Sequence, residues 1–273
     1  MPDPDHQSVI FISDMRLFLK ILICFFFLGT SLIVQAQEEE AVPFEEIDTI
    51  LNKVILKKEM SGGGIIHSMG WGILFRKGYN VTAFKKNIWE LEFVGIRSPK
   101  QVRVNFYGAY YSNANSYVYG KLNKVYTLRA GLGQQYMIAR KPYWGGIEIR
   151  LAYYGGLSLG IGKPVYLYII NQNNYSTLLT ERYDPERHFI DNIFGRAPFL
   201  EGIQNTQFYP GVYAKAGVNF DFGDYNTSIK SLEAGIIADG FAIPVPIMAF
   251  TPEDYYFLSL YINITFGKRY NKF

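Results

Sequence analysis

The sequence predicts an all-β fold: a transmembrane antiparallel up-and-down β-barrel of eight strands with long extracellular loops. Three observations predict it. Apolar and polar residues alternate with period two in run after run, the connections between runs are alternately short and long, and an export signal precedes them all.

The export signal comes first along the chain. Met15, Arg16 and Lys20 form a short basic start, Ile21 to Val34 an apolar run, and Val34-Gln35-Ala36 a cleavage-like site before Gln37. The run falls short of the roughly 20 residues that a spanning helix needs. Residues 1–36 therefore read as an upstream extension, 1–14, plus a cleaved signal peptide. Cys24, the single cysteine, lies inside that signal behind Ile-Leu-Ile, without the small residues of a lipoprotein box. The mature chain then has no thiol for a disulfide or a thiolate metal site.

The composition after the signal suits a membrane barrel. The chain is 17% aromatic and 19% charged, against about 25% charged in a typical soluble domain. No later stretch is long and apolar enough for a spanning helix. The net charge of +3 is too small, and the Lys and Arg residues too scattered, to argue for nucleic acid.

Segment 37–53 comes next. Phe44, Ile47, Ile50, Leu51, Val54 and Ile55 match helical spacing and predict a periplasmic N-terminal arm or short helix. The barrel is predicted over 54–267. Its first two strands need a hairpin, 54–66 and 71–78, turning at His67-Ser68-Met69-Gly70, with Tyr79 to Lys86 as a periplasmic turn. This hairpin is what makes the count eight; ten would need strands from 98–123 or 163–170.

The remaining six strands are read from parity. In 87–97, Trp89, Leu91 and Phe93 oppose Glu90 and Glu92. In 124–139, Tyr126, Leu128, Leu132, Tyr136 and Ile138 oppose Thr127, Arg129, Gly131 and Gly133. In 145–162, Ile147, Ile149, Leu151, Tyr153, Leu157 and Leu159 oppose Glu148, Arg150, Tyr154 and Ser158. In 208–222, Val212, Val218, Phe220 and Phe222 oppose Lys215, Asn219 and Asp221. In 228–241, Leu232, Ala234, Ile236 and Ala238 oppose Ser231, Glu233 and Asp239. In 255–267, Leu258, Leu260, Ile262 and Ile264 oppose Ser259, Tyr261, Asn263 and Thr265. The connections 140–144 and 223–226 are short, whereas 98–123, 163–207 and 242–254 are long, the arrangement of outer-membrane barrels. Residues 268–273 read as a basic C-terminal tail after a strand that closes on Phe266.

The polar face is charged and rich in glycine. Arg76, Arg129, Arg150 and Lys215 are candidate lumen cations; Glu90, Glu92, Glu148, Asp221, Glu233 and Asp239 are candidate lumen acids. An eight-stranded barrel is just wide enough to be filled by side chains, and buried charges must be paired. An internal ion-pair network is the expectation. A polar pathway or a proton-linked site, with a raised pKa shared by Glu90 and Glu92, is the sharper alternative.

Other candidates carry less. Trp71, Trp89, Tyr126, Tyr136, Tyr153 and Tyr256 read as interfacial girdle residues on the lipid face. His67-Ser68 is the one His–Ser pair; neighbours on a strand point to opposite faces, so either the pair sits in a turn or a nucleophile and base there would not meet. His188 reads as a solvated loop histidine, and His6 precedes the signal. Asp184-Pro185-Glu186 looks like a helix start, with Phe189, Ile190, Ile193 and Phe194 on one face of that helix. The connection 242–250 is also unusually apolar. Segments 163–207 and 242–254 thus read as a cap packed on the barrel rim or a neighbouring loop, with contacts for envelope protein partners as the functional alternative, beside outer-membrane lipid around the wall. No catalytic, cofactor-binding or metal residue is expected.

Several stretches resemble the uncharacterised small outer-membrane barrels of Bacteroidota: Gly62 to Gly72, Tyr119-Gly120-Lys121-Leu122-Asn123, Gly145 to Arg150, Leu232-Glu233-Ala234-Gly235, and the Phe-Leu-Ser-Leu of 257–260. The size is similar to PorT-like and OmpX-like barrels. The resemblance implies a non-enzymatic structural or scaffold component of a secretion or assembly complex in the cell outer membrane. Small-solute binding or transport is the alternative, with lipid A modification behind it.

Overall fold

The structure is a computed structural model that describes residues 57–141, 146–171, 177–223, 228–251 and 254–270. The signal peptide, Cys24 and the arm of 37–53 lie outside the described residues. Among the described residues the strands are β1 (Lys58–His67), β2 (Gly70–Asn80), β3 (Lys85–Ile96), β4 (Arg103–Val104), β5 (Tyr117–Val118), β6 (Asn123–Ala139), β7 (Glu148–Pro164), β8 (Tyr166–Ile170), β9 (Leu178–Arg182), β10 (Ile193–Arg196), β11 (Gln207–Asp221), β12 (Ser228–Val245) and β13 (Asp254–Tyr270).

Eight of these strands close on themselves in the order β1-β13-β12-β11-β7-β6-β3-β2. Every neighbouring pair is antiparallel, and sequence neighbours are spatial neighbours throughout. Closure follows from the β1–β13 ladder, which runs from Lys58 opposite Tyr270 to His67 opposite Tyr261 and leaves no free edge. The strands hold 10 to 18 residues, and a tilted membrane-crossing strand needs about 9–11. No helix of the described residues is long and apolar enough to cross a membrane; that criterion does not address strands.

The wall is turned inside out relative to a soluble barrel. Trp89, Leu157, Leu258 and Leu260 are between 66% and 71% exposed on the outside, while Arg129, Glu92 and Glu233 are fully buried inside. Strand parity alone produces this, because successive side chains point to opposite faces. The girdle residues fall at two levels. Trp71, Tyr126 and Tyr256 lie toward the end that carries the long connections, here called the mouth. Trp89, Tyr136 and Tyr153 lie toward the other end, the base, where Tyr136 and Tyr153 stack at 5.9 Å.

Glycines thin the lumen wall where the large tyrosines need room. A Cβ at Gly217 would run into the Tyr261 hydroxyl, and one at Gly133 into the Tyr154 ring. Both glycines face inward on β11 and β6, so their hydrogens are what let these rings lie across the barrel.

The first hairpin is as predicted: Ser68 and Met69 form the turn between His67 and Gly70. The turn between β2 and β3 is shorter than expected. Strand β3 starts at Lys85, which puts Lys86 inside the barrel instead of in the turn. Strand β13 continues through Lys268, Arg269 and Tyr270, three residues into the stretch read as a tail.

The segments that would have made a ten-stranded barrel do contain strands, but outside the ring. Strands β4 and β5 pair with each other, and β8, β9 and β10 form a separate sheet in the order β10-β8-β9. Tyr117, Leu167, Tyr183 and Ile193 share its apolar core.

The helix expected from Asp184 does not form. Asp184 does cap a turn: its Oδ1 accepts from Glu186 N at 3.0 Å, and its carbonyl accepts from His188 N at 2.9 Å. Asn192 ends that turn, accepting from Phe189 N and donating to the Arg187 carbonyl. Ile193 then enters β10 opposite Ile169, fully buried. Pairing with β8 satisfies backbone groups and buries Ile193 together, whereas a lone short helix is marginal in water.

Candidate functional site

The lumen is the densest cluster of chemistry in the molecule. Glu233, on β12, is its hub. Arg76 on β2 forks onto it, Nη1 donating to Oε2 at 2.9 Å and Nη2 to Oε1 at 2.7 Å. Tyr261 (2.9 Å), Tyr154 (3.1 Å), Asn263 (3.1 Å) and Asn219 (3.2 Å) donate to the same carboxylate. Arg76 also donates through Nε to Glu90 at 2.6 Å. Lys215 on β11 sits between Glu90, at 3.2 Å, and Glu92. Arg129 on β6 joins Glu92, at 3.1 Å, to Asp239, at 2.7 and 2.8 Å.

These charges are held by rings as well as by ions. The Arg76 guanidinium lies 4.7 Å from the centre of the Tyr154 ring, and Lys215 Nζ lies 4.5 Å from that of Tyr261. An ammonium over a ring face, away from water, is attracted by the ring quadrupole. Four carboxylates here meet three cations, and their oxygens are further satisfied by neutral donors. Charges taken out of water need this density of partners.

A second network occupies the base. Lys86 Nζ donates to Glu59 at 3.0 Å, Arg269 Nε stands 3.6 Å from Glu59, and Arg269 also binds Asp221. Arg150 pairs with Glu148 two residues away on β7. All ten lumen charges expected from parity are therefore on the inner face. Lys86 and Arg269 were missed because the strands holding them were drawn too short; Glu59 lay inside the predicted 54–66 strand but was not assigned a face. The tyrosines 154, 213 and 261 also belong to the lumen, and their parity was visible.

The mouth is closed by apolar side chains. Ile96, Val125, Tyr209, Phe241 and Phe257 point inward from the mouth ends of their strands and pack with Val245 and Ile247. The connection after β12 is pinned there: Leu122 N donates to the Ile247 carbonyl at 3.0 Å, and Asn123 Nδ2 to the Pro246 carbonyl at 2.8 Å. The apolar stretch of 242–250 thus packs largely on the rim, although Ile243 and Phe250 stay exposed.

The histidines are structural. His67 is buried and its Nδ1 accepts from Met69 N at 3.3 Å, bracing the hairpin turn; Ser68 contributes its own backbone N–H to Leu260. His188 is not solvated but 3% exposed. Its Nδ1 accepts from Asp184 N at 3.0 Å and its Nε2 lies 3.2 Å from Glu181. The Asp184 turn folds the ring back under Tyr183, which the spacing of the histidines does not reveal. Among the described residues no group of three or more His, Cys, Asp and Glu side chains is placed to hold a metal ion.

No protein-family profile matches the chain, and no curated protein matches it. Among solved structures, the chain is similar to the crystal structure of Neisserial surface protein A (NspA), over 80% of this chain and 97% of that one, at 8% identity and a TM-score of 0.35.

Proposed function

We propose that this protein is an integral barrel of the cell outer membrane without enzymatic activity, a structural or scaffold component of an envelope assembly that meets its partners at the mouth. The observation that carries the membrane location is the inverted wall: an apolar outside belted by aromatics around a lumen of paired charges. In water that outer face would be a hydrophobic patch of a size that monomers rarely expose. In a bilayer it is the stable arrangement, because closure satisfies every ladder hydrogen bond.

The filled lumen favours a rim function over passage. Two ionic networks and an apolar mouth cluster stand in series along the axis, so a solute would have to displace all three. The mouth-side segments instead present Phe189, Ile190, Leu200, Ile203, Ile243 and Phe250 to the outside. An exposed apolar patch rimmed by polar residues marks an interaction site.

The test is chemical cross-linking in native membranes followed by mild detergent extraction and mass spectrometry. Co-purification with envelope proteins is expected, together with its loss in the Phe189→Ser, Ile190→Ser variant. Recovery of both forms as lone monomers would overturn the scaffold reading.

A further inference from the structure

A second feature of the mouth is not used by any of the contacts above. A cavity of about 790 Å³ lies between the outer wall of β2, β3 and β6 and the loop residues that follow them. Its lower side is apolar wall: Trp71, Ile73, Phe93 and Tyr126, the last two stacked at 5.7 Å. Its upper side is cationic: Arg97, Arg103, Lys121, Lys124 and Arg196.

Two properties of the cationic side point to an anion. Its lining contains no carboxylate. None of the five cations makes a salt bridge to a carboxylate among the described residues, although the lumen charges all do. Gln101 also lines the cavity, its Oε1 accepting from Lys121 Nζ at 3.1 Å. Five like charges gathered around one cavity repel, which favours an acceptor-rich anion there. Guanidinium groups match phosphate oxygens in pairs.

The wall side decides the rest of the ligand. It continues the membrane-facing surface and carries the girdle residue Trp71, so whatever fills the cavity has a hydrocarbon part. We propose that this cavity binds a phosphorylated, acylated amphiphile of the leaflet beside the mouth, with its phosphate among Arg97, Arg103, Lys121 and Arg196 and its acyl chains along Ile73 and Phe93. This rests on the reading of the wall as membrane-facing.

The site has no counterpart in the lumen, where each acid has its cation. It also differs from a generic basic belt, because its cations converge from the end of β3, from β4, from the β5–β6 connection and from β10. Basic pockets between membrane-spanning helices receive lipid head groups by the same pairing of cations with phosphate.

The experiment uses the full chain expressed into membranes and purified in a non-ionic detergent, with binding read by native mass spectrometry and by titration. The probes are a bisphosphorylated lipid A, its monophosphorylated form, phosphatidylcholine and inorganic pyrophosphate. The bisphosphorylated lipid is expected to bind at least about tenfold more tightly than the monophosphorylated one, the factor one charge-assisted contact supplies. Phosphatidylcholine and pyrophosphate are expected to bind far more weakly. Arg103→Gln with Arg196→Gln removes that preference, whereas Arg187→Gln, an exposed loop cation outside the cavity, leaves it unchanged. Equal binding of all three lipids, the zwitterionic phosphodiester of phosphatidylcholine included, would overturn recognition of an anionic phosphate, and equal binding of pyrophosphate would overturn the acyl part. Heat-modifiable gel mobility and membrane extraction, measured on the same preparations, report separately on whether the barrel is closed and membrane-embedded. A folded, embedded barrel that binds no phosphorylated lipid would therefore sink this inference and leave the proposed function standing.

Discussion

Arg76 and Glu233 clasp each other across the lumen, two parallel hydrogen bonds of 2.9 and 2.7 Å joining strands that stand three places apart around the ring. The fork therefore braces the barrel across its width, where ladder hydrogen bonds act only between neighbours.

Breaking that clasp on one side leaves Glu233 buried with too few cations. Arg76→Met is expected to cost about 3–5 kcal/mol of barrel stability, the usual loss when one partner of a buried pair is removed. Urea unfolding in detergent, followed by tryptophan fluorescence, checks this. Adding Glu233→Gln to Arg76→Met is expected to recover part of the loss, since the two residues are in contact and their effects cannot be additive.

The lumen tyrosines depend on the glycines beside them. Gly217→Ala places a methyl group against the Tyr261 hydroxyl and is expected to destabilise by about 1–3 kcal/mol, as overpacking does. Combining it with Tyr261→Phe removes one of the two oxygens that the methyl meets, the other being the Ala234 carbonyl. The double variant should then unfold at a higher urea concentration than Gly217→Ala alone, even though it also loses the Tyr261 bond to Glu233.

Planar bilayers test the closed lumen. The protein is expected to give no stepwise conductance. Val245→Ala with Ile247→Ala thins the mouth cluster but leaves both ionic networks in place, so that variant is expected to stay silent as well. Channel steps in the unsubstituted protein would show that the networks part in the bilayer.

The cavity at the mouth predicts a pH dependence of known sign. Burial, and then the positive charges of Lys124, Arg97 and Arg103, pull the Lys121 ammonium down from its ordinary 10.5 to about 8. Between those values the unfolded chain keeps a proton that the folded chain gives up, so this group adds stability as pH rises from about 8 to 10.5. A bound phosphate reverses the preference by favouring the charged amine. Affinity for the bisphosphorylated lipid is therefore expected to fall as pH climbs past about 8, and Lys121→Gln is expected to remove that step. Binding that is flat from pH 7 to 9.5 in the unsubstituted protein would rule Lys121 out as a phosphate contact.

The wall was legible because its signal is local. A residue such as Glu233 alternates with Leu232 and Ala234 whatever the rest of the chain does, and period two assigns it to the lumen. Even the His67–Gly70 hairpin, with few turn residues to mark it, emerged from the need to close an even ring. Strand ends were less legible. Lys86 and Arg269 sit where alternation runs out, and only pairing with β2 and β1 keeps them in the ladder.

The loops were hardly legible at all. The Asp184 turn carries every helix-start residue, yet β8 captures Ile193 and makes a sheet instead. Strand parity and the sign of the lumen residues were determined by the sequence itself, because alternation needs no information beyond two residues away; that the ring holds eight strands and not ten was decided by β4, β5 and β8 to β10 pairing outside it. Which charge meets which, how the mouth is sealed, and the gathering of Arg97, Lys121 and Arg196 around one cavity were decided only by the tertiary structure. Scattered along the chain, those cations read as no cluster. Barrel closure and the β8–β10 sheet bring them together, and contacts so distant in sequence leave no periodic trace in it.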